Sequence, residues 1–126
     1  MNPSVQYSKS TWWIDSGATV HVANSLQGFR STRTTQRSER HVKVANGVRA
    51  DVEAVGDISL ELVDGFTLLL IDVLYVPSLR RNLISVSCLD NDGYDCHFRN
   101  DKYHRQIDRQ RGARSAVLRG YPTKVD

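Results

Sequence analysis

Short apolar stretches, many of them β-branched or aromatic, alternate along the chain with clusters of turn-forming residues, a pattern that predicts a mainly β domain. Trp12, Trp13 and Ile14 form a strand running into a tight turn at Asp15, Ser16 and Gly17. Thr19, Val20, His21 and Val22 leave that turn with alternating character. Residues 25–40 are mostly Ser, Thr, Gln and Arg with almost no apolar content, so an exposed loop or poorly ordered connection is expected there. Segments 41–44 and 48–52 flank Asn46-Gly47, and Asn-Gly between alternating segments is the strongest short-range hairpin signal. Residues 57–63 alternate cleanly, Asp64-Gly65 makes a second turn, and 66–76 return as a long, nearly continuous apolar strand. Such a run is expected of a strand buried on both faces. Pro77 ends it, because proline cannot donate to a ladder.

Over 82–91 the period changes: Leu83, Val86 and Leu89 recur every third residue, Asn82 is a candidate N-cap and Gly93 a candidate stop. One short helix is expected there, and no other in the chain. Residues 94–98 alternate again, Asn100-Asp101 reads as a turn, and 103–108 as the hairpin partner. Beyond Arg109 the chain is rich in Arg and Gly, and only 116–118 reads as a further strand.

Composition narrows the class. The 126 residues, 40% hydrophobic and 25% charged, fit one ordinary globular domain. Folding at this length buries roughly two thirds of the unfolded chain's surface, enough for one modest core and too little for two stable lobes. Lys and Arg number 17 against 14 Asp and Glu, so the net charge of +3 is a weak pointer to acidic partners. Two cysteines, Cys88 and Cys96, do not make a disulfide scaffold, and a reducing compartment is the expectation. The longest apolar run, 66–71, falls far short of the ~20 residues that cross a bilayer, so no membrane association is expected.

Candidate chemistry centres on Asp15-Ser16-Gly17. All three are turn formers, and a purely structural turn explains the tripeptide without any function. Its position at the end of an apolar strand also suits an activated carboxylate: Gly17 lets backbone N–H groups approach, Ser16 can hydrogen-bond behind it, and the tryptophans can exclude water. Cys88, Cys96, His97 and His104 lack metal-ligand spacing, so no metal site is expected. His21 reads as a hydrogen-bonded structural histidine. The arginines at 99, 105, 109, 111, 114 and 119, with Lys102 and Tyr103, could bind RNA phosphates. Asp101 and Asp108 interrupt that run, a solvated segment is the simpler reading, and nucleic-acid binding is not expected of this domain.

The string 13–19 (Trp-Ile-Asp-Ser-Gly-Ala-Thr), followed by His21, resembles the catalytic segment of aspartic proteases encoded by copia-type LTR retrotransposons. Segments 42–47, 72–77 and 82–87 resemble further blocks of that polyprotein region in the same order, and the likeness covers about 12–98 and more loosely the stretch to Leu118. The resemblance implies an all-β, retropepsin-like lobe, a closed barrel-like structure with one short helix and a flap hairpin over the cleft. The N-terminal extension would be 1–10, the protease domain 11–108, and 109–126 a basic tail serving as a dimer-interface strand or a linker. By position, Asp15 takes the place of the catalytic aspartate, Ser16 that of the hydroxyl residue that locks the two active-site loops together, and Gly17 completes the motif. Arg81-Asn82-Leu83-Ile84 stands at the Arg-Asn/Asp-Leu-Leu segment of retroviral relatives, with Arg80 where those relatives keep glycine.

Peptide hydrolysis by such an enzyme needs two carboxylates close enough to hold one proton between them. With one Asp-Ser-Gly and room for one lobe, the second Asp15 must come from a second copy, so the resemblance implies an obligate homodimer. An extended segment of a Gag-Pol polyprotein would lie between flap and cleft floor, with Ala18, Val44, Ala45, Asn46, Gly47, Val48, Val76 and Leu79 as the substrate-binding candidates. No cofactor is required, and the expected setting is cytoplasmic, in virus-like particles. The alternative is a non-catalytic dimerisation or interaction module of the same fold, in a host gene derived from a retrotransposon.

Overall fold

A computed structural model describes residues 11–43, 47–61, 67–98, 105–109, 115–117 and 123–124. Its strands are β1 (Trp12–Asp15), β2 (Val22–Ala23), β3 (Phe29–Arg33), β4 (His41–Lys43), β5 (Arg49–Asp51), β6 (Ala54–Glu61), β7 (Thr67–Tyr75), β8 (Asn82–Ser85), β9 (Tyr94–Phe98), β10 (Arg105–Arg109), β11 (Ser115–Val117) and β12 (Thr123–Lys124). Among the described residues the helices are α1 (Val86–Asn91) and a 3-10 turn, Arg37–Glu39. The mainly β expectation therefore holds.

Seven strands form one mixed sheet in the order β12-β1-β8-β2-β7-β6-β3, with a three-stranded sheet β11-β10-β9 and the β4-β5 hairpin beside it. The large sheet is open, with β12 and β3 as its edges, which corrects the expected closed barrel. At one edge the C-terminal segment returns: β12 pairs in parallel with β1, Ile14 opposite Thr123 and Asp15 opposite Lys124.

A bulge in the long strand changes which of its residues face each core. Gly56 pairs with Val73 but Ile58 pairs with Leu70, leaving Ile71 and Asp72 as the irregular step. Asp72 there has φ +55, and its N–H donates to Asp57 Oδ1 at 3.1 Å. Leu68, Leu70 and Val73 join Trp12, Ile14, Ile58, Ile84, Leu89 and Tyr94 in one core. Leu74 joins Val22, Ala50, Val52, Val55 and Val76 in the other. Ile71 is 40% exposed, so burial of 66–76 on both faces holds only in part.

Two expectations fail for identifiable reasons. Residues 25–40 are not all loop: β3 pairs with β6 from Phe29 opposite Ile58 to Arg33 opposite Val55. An edge strand needs only backbone partners, so its exposed Arg, Ser and Thr residues gave no apolar signal. Arg33 then clips the following turn through a two-pronged bond to Glu39, both contacts 2.7 Å, and Gln36 N–H reaches Glu39 Oε1 at 2.9 Å. The second failure lies at 82–91, where the first four residues are strand β8 and only Val86–Asn91 are helical. Asn82 is not the N-cap. Ser85 is, with extended φ −84 and ψ 119 and its Oγ accepting the Cys88 N–H at 3.2 Å. The three-residue period conceals the boundary because Asn82, Ile84 and Ser85 are buried while Leu83 is half-buried, as suits a strand held between β1 and β2.

The expected hairpin is present as β4-β5, with Val42 opposite Ala50 and Gly47 at φ +74 near its tip; Asn46 lies outside the described residues. Gly93 follows α1 at φ +91, the left-handed conformation of a helix stop. The Asp64-Gly65 and Asn100-Asp101 turns fall outside the described residues. The expected C-terminal hairpin is β9-β10, joined by β11.

Candidate active site

Alternation along β1 decides where its side chains go. Trp12 and Ile14 enter the first core, whereas Trp13 is half-buried with the Arg81 guanidinium stacked 3.9 Å from its ring centroid. Asp15 ends the strand and is only 2% exposed. The chain then turns: Gly17 N–H donates to Asp15 Oδ1 at 2.9 Å and Ala18 N–H to the Asp15 carbonyl at 3.4 Å. Ser16 and Gly17 are exposed and Ala18 is half-buried. A carboxylate accepting the N–H two residues ahead forms an Asx turn, which fixes the Asp15 side chain against its own loop.

The loop is held from behind by the start of α1. In β1-β8 pairing Asp15 lies opposite Ser85. Ser85 Oγ donates to the Ala18 carbonyl at 2.7 Å, Ser87 Oγ donates to the same oxygen at 3.4 Å, and Cys88 Sγ donates to the Thr19 carbonyl at 3.1 Å. Beyond the loop, His21 is fully buried, and its Nδ1 accepts the Ser85 N–H at 2.9 Å. Because the amide can only donate, Nδ1 is unprotonated and the ring proton sits on Nε2, which has no partner among the described residues. Burial pushes the imidazole down to about 4. The His21 carbonyl takes the Leu74 N–H at 2.9 Å, tying the same residue to β7. Asn82 works similarly one strand over, its Oδ1 accepting the Asn24 N–H at 2.8 Å and its Nδ2 donating to the Thr11 carbonyl at 3.0 Å.

Asp15, Ser16, Gly17 and Ala18 thus share one turn. Of the other substrate-binding candidates, Gly47 is exposed, Val48 is 59% exposed at the hairpin and Leu79 is half-buried. Val76 is fully buried in the second core, and its N–H donates to the Ala23 carbonyl at 2.8 Å. Val44, Ala45 and Asn46 lie outside the described residues, as does His104. Val42 and Leu79 both pack on that second core, so the hairpin base and the segment after β7 share one apolar support. Sequence reasoning missed Ser85, Ser87 and the Cys88 thiol as holders of the loop. The readable signal was a hydroxyl-rich run, Ser-Val-Ser-Cys, where the assumed helix should have been uniformly amphipathic. Among the described residues no group of three or more His, Cys, Asp or Glu side chains is placed to hold a metal ion.

Comparison with known proteins gives a consistent result. Residues 12–94 match the family described as the Pol polyprotein β-barrel domain. The chain is 37% identical over 95 residues, 75% of its length, to the retrovirus-related Pol polyprotein from transposon TNT 1-94 of Nicotiana tabacum. It is 35% identical over 85 residues, 68% of its length, to that from transposon RE1 of Arabidopsis thaliana, and 34% identical over the same length to that from RE2. The chain spans only 6–7% of the length of these relatives. No solved structure matches it.

Proposed function

This chain belongs to the Pol polyprotein β-barrel domain family of transposons, and from that premise we propose that it is one subunit of a homodimeric aspartic endopeptidase acting on a Gag-Pol polyprotein. The observation that carries the reading is a buried carboxylate, Asp15, at the end of an apolar strand and inside an Asp-Ser-Gly turn whose Gly17 N–H donates to it. In this reading a two-fold axis opposes two Asp15 side chains, and their repulsion leaves one proton shared between them. The ionised carboxyl takes a proton from a water as that water attacks the scissile carbonyl carbon, while the protonated one donates to the carbonyl oxygen. Collapse of the tetrahedral species breaks the C–N bond as the amine leaves with a proton. Ser16, exposed on the single chain, is free to bond across the axis. The β4-β5 hairpin serves as the flap, and an extended peptide adds its backbone beneath it. The setting is the cytoplasm, in virus-like particles.

One observation favours the second reading, a non-catalytic interaction module of the same family. Asp15 is 2% exposed and turned onto Gly17, so in the isolated chain substrate reaches it only if the turn or its cover moves. Asp15→Asn keeps the shape and the Gly17 bond but cannot ionise. The enzyme reading requires wild-type protein to cut a Gag-Pol fragment at defined sites, read by mass spectrometry, and the variant to cut none. A folded wild type that leaves the fragment intact, or a variant that cuts equally well, favours the module. Sedimentation is the companion measurement, because an active species that stays monomeric contradicts the shared site.

A further inference from the structure

We propose that His21 is a positioning residue for the Asp15 turn, with Ser85 as the link between them. The inference rests on the reading of Asp15 as catalytic only for its kinetic consequence; the linkage itself is geometric. Four hydrogen bonds run in sequence from the imidazole to the carboxylate. Ser85 N–H donates to His21 Nδ1 at 2.9 Å, and Ser85 Oγ donates to the Ala18 carbonyl at 2.7 Å. Ala18 N–H reaches the Asp15 carbonyl at 3.4 Å, and Gly17 N–H reaches Asp15 Oδ1 at 2.9 Å.

The proton count fixes every direction in that series. A carbonyl cannot donate, so the single Ser85 hydroxyl proton goes to Ala18, and the same oxygen accepts from Cys88 N–H at 3.2 Å. Ser87 Oγ stands 3.1 Å from Ser85 Oγ and 3.4 Å from the Ala18 carbonyl, able to donate to either. Ser85 is fully buried and β2 pairs with β8 at Val22 opposite Leu83 only, so the ladder has ended before Ser85. The His21 ring supplies the acceptor that a longer β2 would have supplied. Without it a buried N–H is left unmade, and Ser85 has reason to turn away from Ala18. His21 is joined to Val22 on β2 and through its carbonyl to Leu74, so the acceptor stands on a fixed base.

Two replacements separate this role from simple packing. In His21→Asn the amide oxygen takes the place of Nδ1, whereas His21→Leu fills space with no acceptor. Full-length wild type, both variants and Ser85→Ala are compared by 15N–1H spectra at neutral pH, and by cleavage of a Gag-Pol fragment. Expected are an Nε2–H tautomer in the wild type, Gly17 and Ala18 amide signals in place in His21→Asn, and the same signals displaced in both His21→Leu and Ser85→Ala. In cleavage, His21→Leu should lose kcat on the order of 10²-fold with KM little changed, and His21→Asn should recover most of it. Unmoved Gly17 and Ala18 signals in either His21→Leu or Ser85→Ala overturn the proposal, as does a folded His21→Asn that behaves like His21→Leu. Should His21→Leu fail to fold, Ser85→Ala and His21→Asn decide. If the wild type cuts nothing, the enzyme reading falls while the spectra still judge the linkage.

Discussion

Acid should destabilise this domain through one buried imidazole. His21 is held neutral by burial, its ionisation pushed down from 6.5 to about 4. Above pH 6.5 neither folded nor unfolded chain carries this proton, and the stabilisation is complete. As the pH falls from 6.5 to about 4 the unfolded chain takes up a proton that the folded chain refuses, so stability declines across that window; below it both are protonated and the loss stops. At about 1.4 kcal/mol per pH unit the shift corresponds to roughly 3 kcal/mol, a large share of what a small domain has. The structure adds a steric reason with the same sign: protonated Nδ1 would point a hydrogen at the Ser85 N–H, donor against donor. Urea unfolding at fixed protein concentration from pH 7 to pH 4 measures the decline in wild type and in His21→Asn. Carboxylates also take up protons as the pH falls, and burial, Asp72 and Asp57 all push Asp92 up from its ordinary value, so the difference between the two proteins is the quantity that matters. It should shrink by roughly 3 kcal/mol across the window, wild type losing more. Parallel curves would refute the argument.

Three further outcomes are expected. Gly56→Ala should cost at least about 1–3 kcal/mol and loosen β3, seen as faster amide exchange at Ser31 to Arg33, because a Cβ there runs into the Ser31 backbone carbonyl and meets Phe29 at 3.0 Å; Gly47→Ala, where a Cβ meets no atom within 4 Å among the described residues beyond its chain neighbours, should cost only the roughly 1–2 kcal/mol of its φ of +74. Leu70→Ala, at a fully buried site, should lower stability by about 2–5 kcal/mol in thermal or urea unfolding, against about 0.5 kcal/mol for Ser59→Ala on the exposed side of β6. Arg81→Ala removes the guanidinium over Trp13 and should cost about 0.5–1 kcal/mol, with a change in tryptophan fluorescence reporting the altered ring environment.

How much of this could be read from the chain depends on what made each element. Strands with an apolar face announced themselves: β1 and β7 lie where an apolar run placed them, and β6 overlaps the alternating segment expected from residue 57 but begins at Ala54. Strand β3 did not, because pairing at a sheet edge is a backbone matter and, among the described residues, Phe29 is the β3 side chain packed on the apolar core. At 82–91 local periodicity suggested helix, but residues 82–85 are claimed by β1 and β2, partners distant in sequence, and a strand-to-helix change at Ser85 has no periodic signature. The site divides similarly. Asp15, Ser16 and Gly17 were legible as a contiguous motif, while their support from His21, Ser85, Ser87 and Cys88 spans more than sixty residues of chain, as the His21–Ser85 separation of 64 shows. The bulge at Ile71 and Asp72, which resets the alternation so that Val73 joins Leu68 and Leu70 in the first core and Leu74 joins the second, left no mark beyond an aspartate inside an apolar run.

Mixing wild type with Asp15→Asn, after conditions that exchange subunits, tests the central claim most directly. If each active site is built from two Asp15 residues, an equal mixture should cleave the Gag-Pol fragment at about a quarter of the rate of the same total amount of wild type, since only dimers with two intact carboxylates work. A rate of about one half would mean that each chain acts alone, and would contradict a site shared across the two-fold axis.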